Sequence, residues 1–105
     1  PTSYPQNLTL LAASSSTIYV NWQPLAFSDR NGYIINYSLR YNSIKLNSSD
    51  TIFVNGSMNS TALTNLSPFT TYNIVIRAAT VIGYGPPSPS KAATTHQAGL
   101  KEALT

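Results

Sequence analysis

The sequence predicts an all-β protein, a sandwich of seven antiparallel strands, and three observations support that prediction. Short runs that alternate apolar and polar residues recur along the 105 residues, with turn residues between them. No long segment shows the apolar period of a helix. The run 66–72 (LSPFTTY) places a proline corner before a strand with Ile74, Ile76 and Ala78 at alternate positions, which is typical of a chain crossing between the two sheets of a sandwich.

The predicted strands follow one another at short intervals, with turn-forming residues between them. Their apolar positions, in chain order, are Leu8 and Leu10; Ile18, Val20 and Trp22; Ile35, Tyr37, Leu39 and Tyr41; Ile52 and Val54; Ala62 or Leu63; Tyr72, Ile74, Ile76 and Ala78; and a last strand over 90–95. Pro5 begins the first strand, and Pro87 and Pro89 begin the last, where a missing backbone donor is tolerated at a sheet edge. We therefore expect the first and last strands to lie at edges.

Composition narrows the class of protein. A chain of 105 residues suits one domain with its own core, and the absence of cysteine excludes disulfides and thiolate chemistry. Nine residues are charged, whereas serine, threonine and asparagine number 36, a balance that favours a secreted or cell-surface domain. The net charge of +3 comes from scattered cations, so no nucleic-acid partner is expected. No apolar run approaches the roughly 18 residues of a membrane span, so we expect no direct membrane insertion by this segment.

Five motifs together resemble the fibronectin type III family over 5–95. In order they are Pro5-Gln6-Asn7-Leu8, Ile18-x-Val20-x-Trp22-x-Pro24, Ile34-x-x-Tyr37-x-Leu39-x-Tyr41, Leu66-x-Pro68-x-Thr70-x-Tyr72 with the strand that follows, and Gly83-x-Gly85-Pro86-Pro87-Ser88. The resemblance implies an immunoglobulin-like sandwich of a three-stranded and a four-stranded sheet, with structural roles for Trp22, Tyr37, Leu66 and Tyr72. It also implies that the Tyr72 hydroxyl is hydrogen-bonded to the backbone a few residues upstream. Integrin binding through Arg-Gly-Asp is not expected, because the chain lacks that tripeptide.

Six Asn-x-Ser/Thr sequons are the strongest chemical signal in the chain. They begin at Asn7, Asn36, Asn47, Asn55, Asn59 and Asn65. Asn7 and Asn36 fall on the polar phase of their strands, and the other four lie in or beside predicted turns. The sequons indicate an N-glycosylated ectodomain. The alternative is a surface so rich in serine, threonine and asparagine that sequons arise incidentally.

Apolar residues in two loops are the candidate partner contacts. Phe27 and Arg30 lie between the second and third strands, and Val81, Ile82 and Tyr84 precede the last strand. In the implied fold these loops share one end of the sandwich, where an apolar surface could contact a partner or a neighbouring domain. The alternative is that Phe27 and Ile82 fold back over the end of the core.

No arrangement in the sequence favours catalysis, so we expect no enzyme and no cofactor. His96 is the only histidine and has no orienting carboxylate in a local motif. Asp29 and Asp50 are the only carboxylate side chains outside the tail, which is too few for a calcium site, and we expect no metal. No glycine-rich phosphate loop is present.

We therefore interpret the chain as a non-catalytic extracellular module for protein recognition or cell adhesion within a receptor-type ectodomain, for example one like a receptor tyrosine phosphatase. The expected domain covers 5–96, with a linker over 1–4 and a linker or tail over 97–105. Expected partners are another protein or neighbouring domains, and the isolated domain is expected to be a monomer. The parent would be a single-pass membrane protein or a secreted matrix protein. Alternatives are a structural spacer repeat in a matrix or linker protein, an accessory domain of a secreted carbohydrate-active enzyme, and an intracellular muscle-type repeat.

Overall fold

The computed structural model describes residues 3–25 and 33–98, which form eight strands and no helix. The strands are β1 (Gln6–Ala12), β2 (Ile18–Gln23), β3 (Asn36–Ser43), β4 (Ser48–Asn55), β5 (Ser60–Leu63), β6 (Thr71–Thr80), β7 (Gly83–Tyr84) and β8 (Lys91–Thr94). Buried and exposed residues alternate strictly in β2, because successive side chains of a strand point to opposite faces of the sheet. The prediction of an all-β chain is confirmed for these residues.

Two antiparallel sheets make up the sandwich. One has the order β1-β2-β5, and the other has the order β4-β3-β6-β7, with β8 also paired to β6. The expected three-stranded sheet is therefore present, and β1 and the β7–β8 side lie at sheet edges, as the prolines predict.

The number of strands differs from the prediction of seven, because the last strand is divided into β7 and β8. Three prolines that cannot donate a ladder hydrogen bond stand between the two pieces: Pro86, Pro87 and Pro89. The segment nevertheless stays against β6, since Gly85 N donates to Ala78 O at 2.8 Å and Ser88 N donates to Ile76 O at 2.9 Å. The second sheet consequently has five strands where four were expected.

The core lies between the inner faces of the two sheets. Trp22 from β2 and Tyr37 from β3 meet edge to face, with ring centroids 5.2 Å apart and an interplanar angle of 61°. The remaining buried side chains alternate along the central strands, and they include Ile18, Val20, Leu39, Ile74, Ile76 and Ala78. The inward phases predicted for the second and sixth strands are thus buried. In the third strand Tyr37 and Leu39 are buried, whereas Tyr41 is half-buried and Ile35 is 47% exposed.

The corner between β5 and β6 is fixed by side-chain hydrogen bonds to backbone. Ser67 N donates to the Tyr72 hydroxyl oxygen at 2.9 Å, which is the bond that the resemblance implies. The buried Thr95 hydroxyl donates to Ser67 O at 2.6 Å and accepts from Thr70 N at 3.0 Å. Phe69 N donates to His96 O at 3.0 Å. The corner is therefore tied both to β6 and to the residues that follow β8.

Candidate functional site

A tight hairpin between β6 and β7 carries the most exposed apolar side chains of the candidate contact set. Thr80 pairs with Gly83, so Val81 and Ile82 form the turn between them. Gly83 has a φ of 145°, a conformation that residues with a side chain rarely adopt. The Thr80 hydroxyl oxygen accepts from Ile82 N at 3.2 Å and fixes the turn. Val81 is 89% exposed and Ile82 is 83% exposed, so the alternative in which Ile82 folds back over the core is wrong.

Two further apolar residues lie at the same end of the sandwich. Ile35 N donates to Ala79 O at 2.8 Å, which places the entry into β3 beside the end of β6. Ile35 is 47% exposed, and Tyr33, on the same segment, is 88% exposed. We call the set Tyr33, Ile35, Val81 and Ile82 the apolar tip.

The β4–β5 turn packs directly against the segment that carries the tip. Gly56 N donates to Ile35 O at 2.9 Å. A Cβ atom on Gly56 would lie 1.9 Å from the carbonyl oxygen of Ile34, so only glycine permits this approach. The turn therefore supports the base of the tip through a contact that depends on one residue type.

A cationic and aromatic pair borders the tip on the outer face of the five-stranded sheet. The Arg77 guanidinium carbon lies 5.1 Å from the centroid of the Tyr84 ring. Arg77 Nε also donates to Gly85 O at 3.0 Å, which holds the side chain along β7. Within 3–25 and 33–98 the single carboxylate side chain is Asp50, on β4. The surface beside the tip is therefore apolar with positive charge at its margin.

The same outer face carries a second arginine, Arg40. Arg40 lies opposite Val75 on β6 and donates from Nε to the Ser49 hydroxyl at 3.1 Å. A shallow depression of about 400 Å³ beside it is lined by Arg40, Asn42, Asn73, Val75 and Ser90. Phe53, 64% exposed, lies on this face opposite Ser38.

Five of the six sequon asparagines are exposed, and Asn36 is not. The exposed ones are Asn7, Asn47, Asn55, Asn59 and Asn65. Asn7 nevertheless donates from Nδ2 to Gln23 Oε1 at 2.7 Å. Asn36 was expected on the solvent-facing phase of its strand, yet it is half-buried and its Oδ1 atom is fully covered. Asn36 starts an interior strand, where Asn55 on β4 and Ala79 on β6 flank it.

The structure brings together only part of the predicted contact set. Val81, Ile82 and Tyr84 lie in or beside the β6–β7 hairpin, whereas Phe27 and Arg30 lie outside the described residues. Tyr33 and Ile35 were not among the partner contacts predicted from the sequence. The apolar run 33–35 after Asn31-Gly32 could have indicated them, because a strand with one exposed face does not need three successive apolar residues.

The described residues offer no group suited to metal binding, since none of their histidine, aspartate and glutamate side chains cluster in threes. Burial raises the pKa of Tyr41 above its ordinary value, and the charges of Asp50 and Tyr72 raise it further. No helix in 3–25 or 33–98 is long and apolar enough to span a membrane.

The sandwich, the tyrosine at its corner and the exposed hairpin define the class as an immunoglobulin-like β-sandwich module. The family model described as "Fibronectin type III domain" matches residues 3–94, and the chain belongs to that family. The resemblance of the five motifs is thereby confirmed. Fibronectin type III domains are non-catalytic modules, and the chain is not an enzyme.

The sequence relatives are much longer than this chain. The chain is 39% identical over 92 residues to mouse receptor-type tyrosine-protein phosphatase F, covering 86% of this chain and 5% of that protein. It is 35% identical over 103 residues to human neogenin, covering 97% of this chain and 7% of that protein. The chain thus spans less than a tenth of the curated relatives that it matches.

Solved structures agree with the fold. The fibronectin type III domain of human contactin 1 superposes with a TM-score of 0.81 at 30% identity, covering 93% of this chain and 81% of that one. The third fibronectin III domain of human KIAA0343 protein superposes with a TM-score of 0.83 at 26% identity, covering 92% of this chain and 84% of that one.

Proposed function

We propose that this module works outside the cell, in a receptor-type ectodomain, and recognises a protein partner through the apolar tip. The observation that carries the proposal is the exposure of Val81 and Ile82 at the end of a tight hairpin. Exposed apolar side chains grouped at one site are typical of interaction surfaces, whereas scattered single ones need no explanation. The tip has four such residues at one end of the sandwich.

Burial of the tip would contribute substantially to the affinity for a partner. Fully burying a valine or isoleucine side chain contributes about 1.5–3 kcal/mol. Val81 and Ile82 are almost wholly exposed, so a partner that covers both would gain at least about 3 kcal/mol, which corresponds to roughly a hundredfold in affinity. The hairpin is closed by Gly83 and by the Thr80 hydroxyl, so little ordering of the turn is needed on binding.

The partner surface that fits the tip is an apolar recess with acidic groups at its rim. Arg77 lies beside Tyr84 at the margin of the tip, and no carboxylate among the described residues borders that pair. An opposite charge on the partner would steer the encounter and fix its orientation more than it would raise affinity.

The extracellular assignment rests on composition and relatives. Six sequons and only nine charged residues in 105 suit a glycosylated surface, and the similarity to a receptor-type phosphatase supports the same location. We propose 5–96 as the folded unit, because Thr95 is buried and His96 accepts a hydrogen bond from the corner. The stretch 1–4 would then be a linker, and 97–105 a linker or tail.

The rival function is a structural spacer that bears load and has no ligand of its own. A polar tip would favour that function, since a spacer needs no exposed apolar surface at its free loops. The four apolar residues of the tip favour recognition instead.

Binding to cells distinguishes the two functions. The module would be secreted from eukaryotic cells, displayed as a fluorescent tetramer and titrated on a panel of cell types. The test variant is Val81→Ser combined with Ile82→Ser, and the control is Leu11→Ser, which removes a 62% exposed side chain from the other sheet. We expect the wild type and the control to bind at least one cell type equally and the double variant to lose binding. Equal binding by all three proteins would refute recognition through the apolar tip. No binding by any of them would support the spacer function.

A further inference from the structure

The two sheets have four edges among the described residues. At three of them the sequence contains features that hinder pairing with a strand of another chain. An exposed edge strand offers unpaired backbone groups to another chain, and natural proteins block it with prolines, bulges, lysines or shortness. β1 follows Pro5 and has a register irregularity between Gln6 and Thr9. β5 has only four residues. The β7–β8 side carries three prolines and Lys91.

The fourth edge, β4, has none of these devices. Its eight residues, Ser48–Asn55, pair with β3 without a register shift, and no described strand pairs with its other side. β4 contains no proline and no lysine, and Asp50 is its single charge. The stretch 51–54 (TIFV) within it consists of residues with high strand propensity. Such an edge is a template for pairing with a second copy of the same chain.

Sequons stand at both ends of this unprotected edge. Asn47 immediately precedes Ser48 in a left-handed turn with a φ of 51°, and its side chain is exposed. Asn55 is the last residue of β4 and is exposed. Its Oδ1 atom accepts from Ser57 N at 2.9 Å and from the Ser57 hydroxyl at 2.8 Å, so the sequon forms a compact turn that points away from the core. Both asparagines are exposed, as attachment of a glycan requires.

We propose that N-glycans on Asn47 and Asn55 shield the β4 edge, and that a module lacking both pairs with a second copy of itself through β4. The inference rests on the proposed extracellular location. In a two-fold antiparallel pair of β4 strands, only positions of the same parity can lie opposite each other, and a register centred on Thr51 places Asn47 of one copy opposite Asn55 of the other. A branched sugar at either position would occupy the space that the second copy needs.

A comparison of two secreted variants, each lacking two sequons, tests whether glycans shield the β4 edge. The test protein carries Asn47→Gln and Asn55→Gln, and the control carries Asn59→Gln and Asn65→Gln, which removes two exposed sequons that do not lie on β4. Intact mass with and without glycosidase gives occupancy. Light scattering behind size-exclusion chromatography gives the oligomeric state, and hydrogen exchange locates the contact.

We expect added mass at Asn47 and Asn55 in the wild type, and monomers for the wild type and the control. The test protein should double its mass as concentration rises, with slower exchange confined to the amides of 48–55. A test protein that stays monomeric, or that associates without protection of β4, overturns the inference. Bare Asn47 and Asn55 beside occupied Asn59 or Asn65 overturn it while leaving the extracellular proposal intact. A wild type without any added mass contradicts both.

Discussion

Removal of one hydroxyl group at the corner, by Tyr72→Phe, should destabilise the domain measurably. The Tyr72 hydroxyl accepts from Ser67 N at 2.9 Å, and the Tyr72 side chain is buried. The substitution leaves the ring packed in the core, so the loss comes from an amide that has been deprived of its acceptor. A buried donor without a partner costs about 1–3 kcal/mol. For a domain of about 100 residues, each kcal/mol lowers Tm by about 4–8 °C.

Thermal unfolding followed by circular dichroism measures this effect, with Tyr19→Phe as the control. Tyr19 lies on the outer face of β2 and is about half exposed, so loss of its hydroxyl should change the unfolding free energy by less than about 0.5 kcal/mol. We expect Tm to fall by at least about 4 °C for Tyr72→Phe relative to the control. If the two variants have the same Tm, the hydrogen bond from Ser67 N to the Tyr72 hydroxyl does not stabilise the corner, which would refute the predicted loss of stability.

Two further substitutions test the core and the support of the tip by urea denaturation. Trp22→Ala removes a buried ring packed edge to face on Tyr37, and the cavity should cost about 3–5 kcal/mol; a loss under 1 kcal/mol would mean that the two rings are not packed as described. Gly56→Ala places a methyl group 1.9 Å from Ile34 O, so the backbone must shift at a cost of about 1–3 kcal/mol. Its control is Gly83→Ala, where the new Cβ contacts nothing within 4 Å and only φ is strained. Equal stability of Gly56→Ala and the wild type would show that the turn does not pack on Ile34.

The fold could be predicted because its signals are local. Alternation along β2 and β6 assigns Trp22 and Ile76 to the core without any knowledge of their partners, since a strand has two faces. The proline corner could be predicted for the same reason, whereas its hydrogen bond was implied by the family resemblance, whose motif spans the five residues from Ser67 to Tyr72.

The features that the sequence did not predict depend on how strands are placed next to one another. Asn36 has the phase of an exposed residue, yet flanking strands cover its Oδ1 atom. The division of the last strand depends on which backbone groups face β6 between the prolines. The sequence left open whether Ile82 is exposed or folds back over the core, and the length of the hairpin decides this, because pairing of Thr80 with Gly83 leaves too short a turn to fold back. The close approach of Gly56 to the carbonyl oxygen of Ile34 likewise involves residues 22 positions apart.

The recognition function is tested most directly by a photo-crosslinking side chain placed at Val81, with the same group at Leu11 as the control. Both positions are exposed, and they lie on different parts of the surface, the hairpin tip and the outer face of β1. Irradiation of the secreted module on cells that bind it should give a covalent adduct of defined mass from position 81. No such adduct should form from position 11. Adducts from position 11 alone, or equal labelling from both positions, would contradict recognition through the apolar tip.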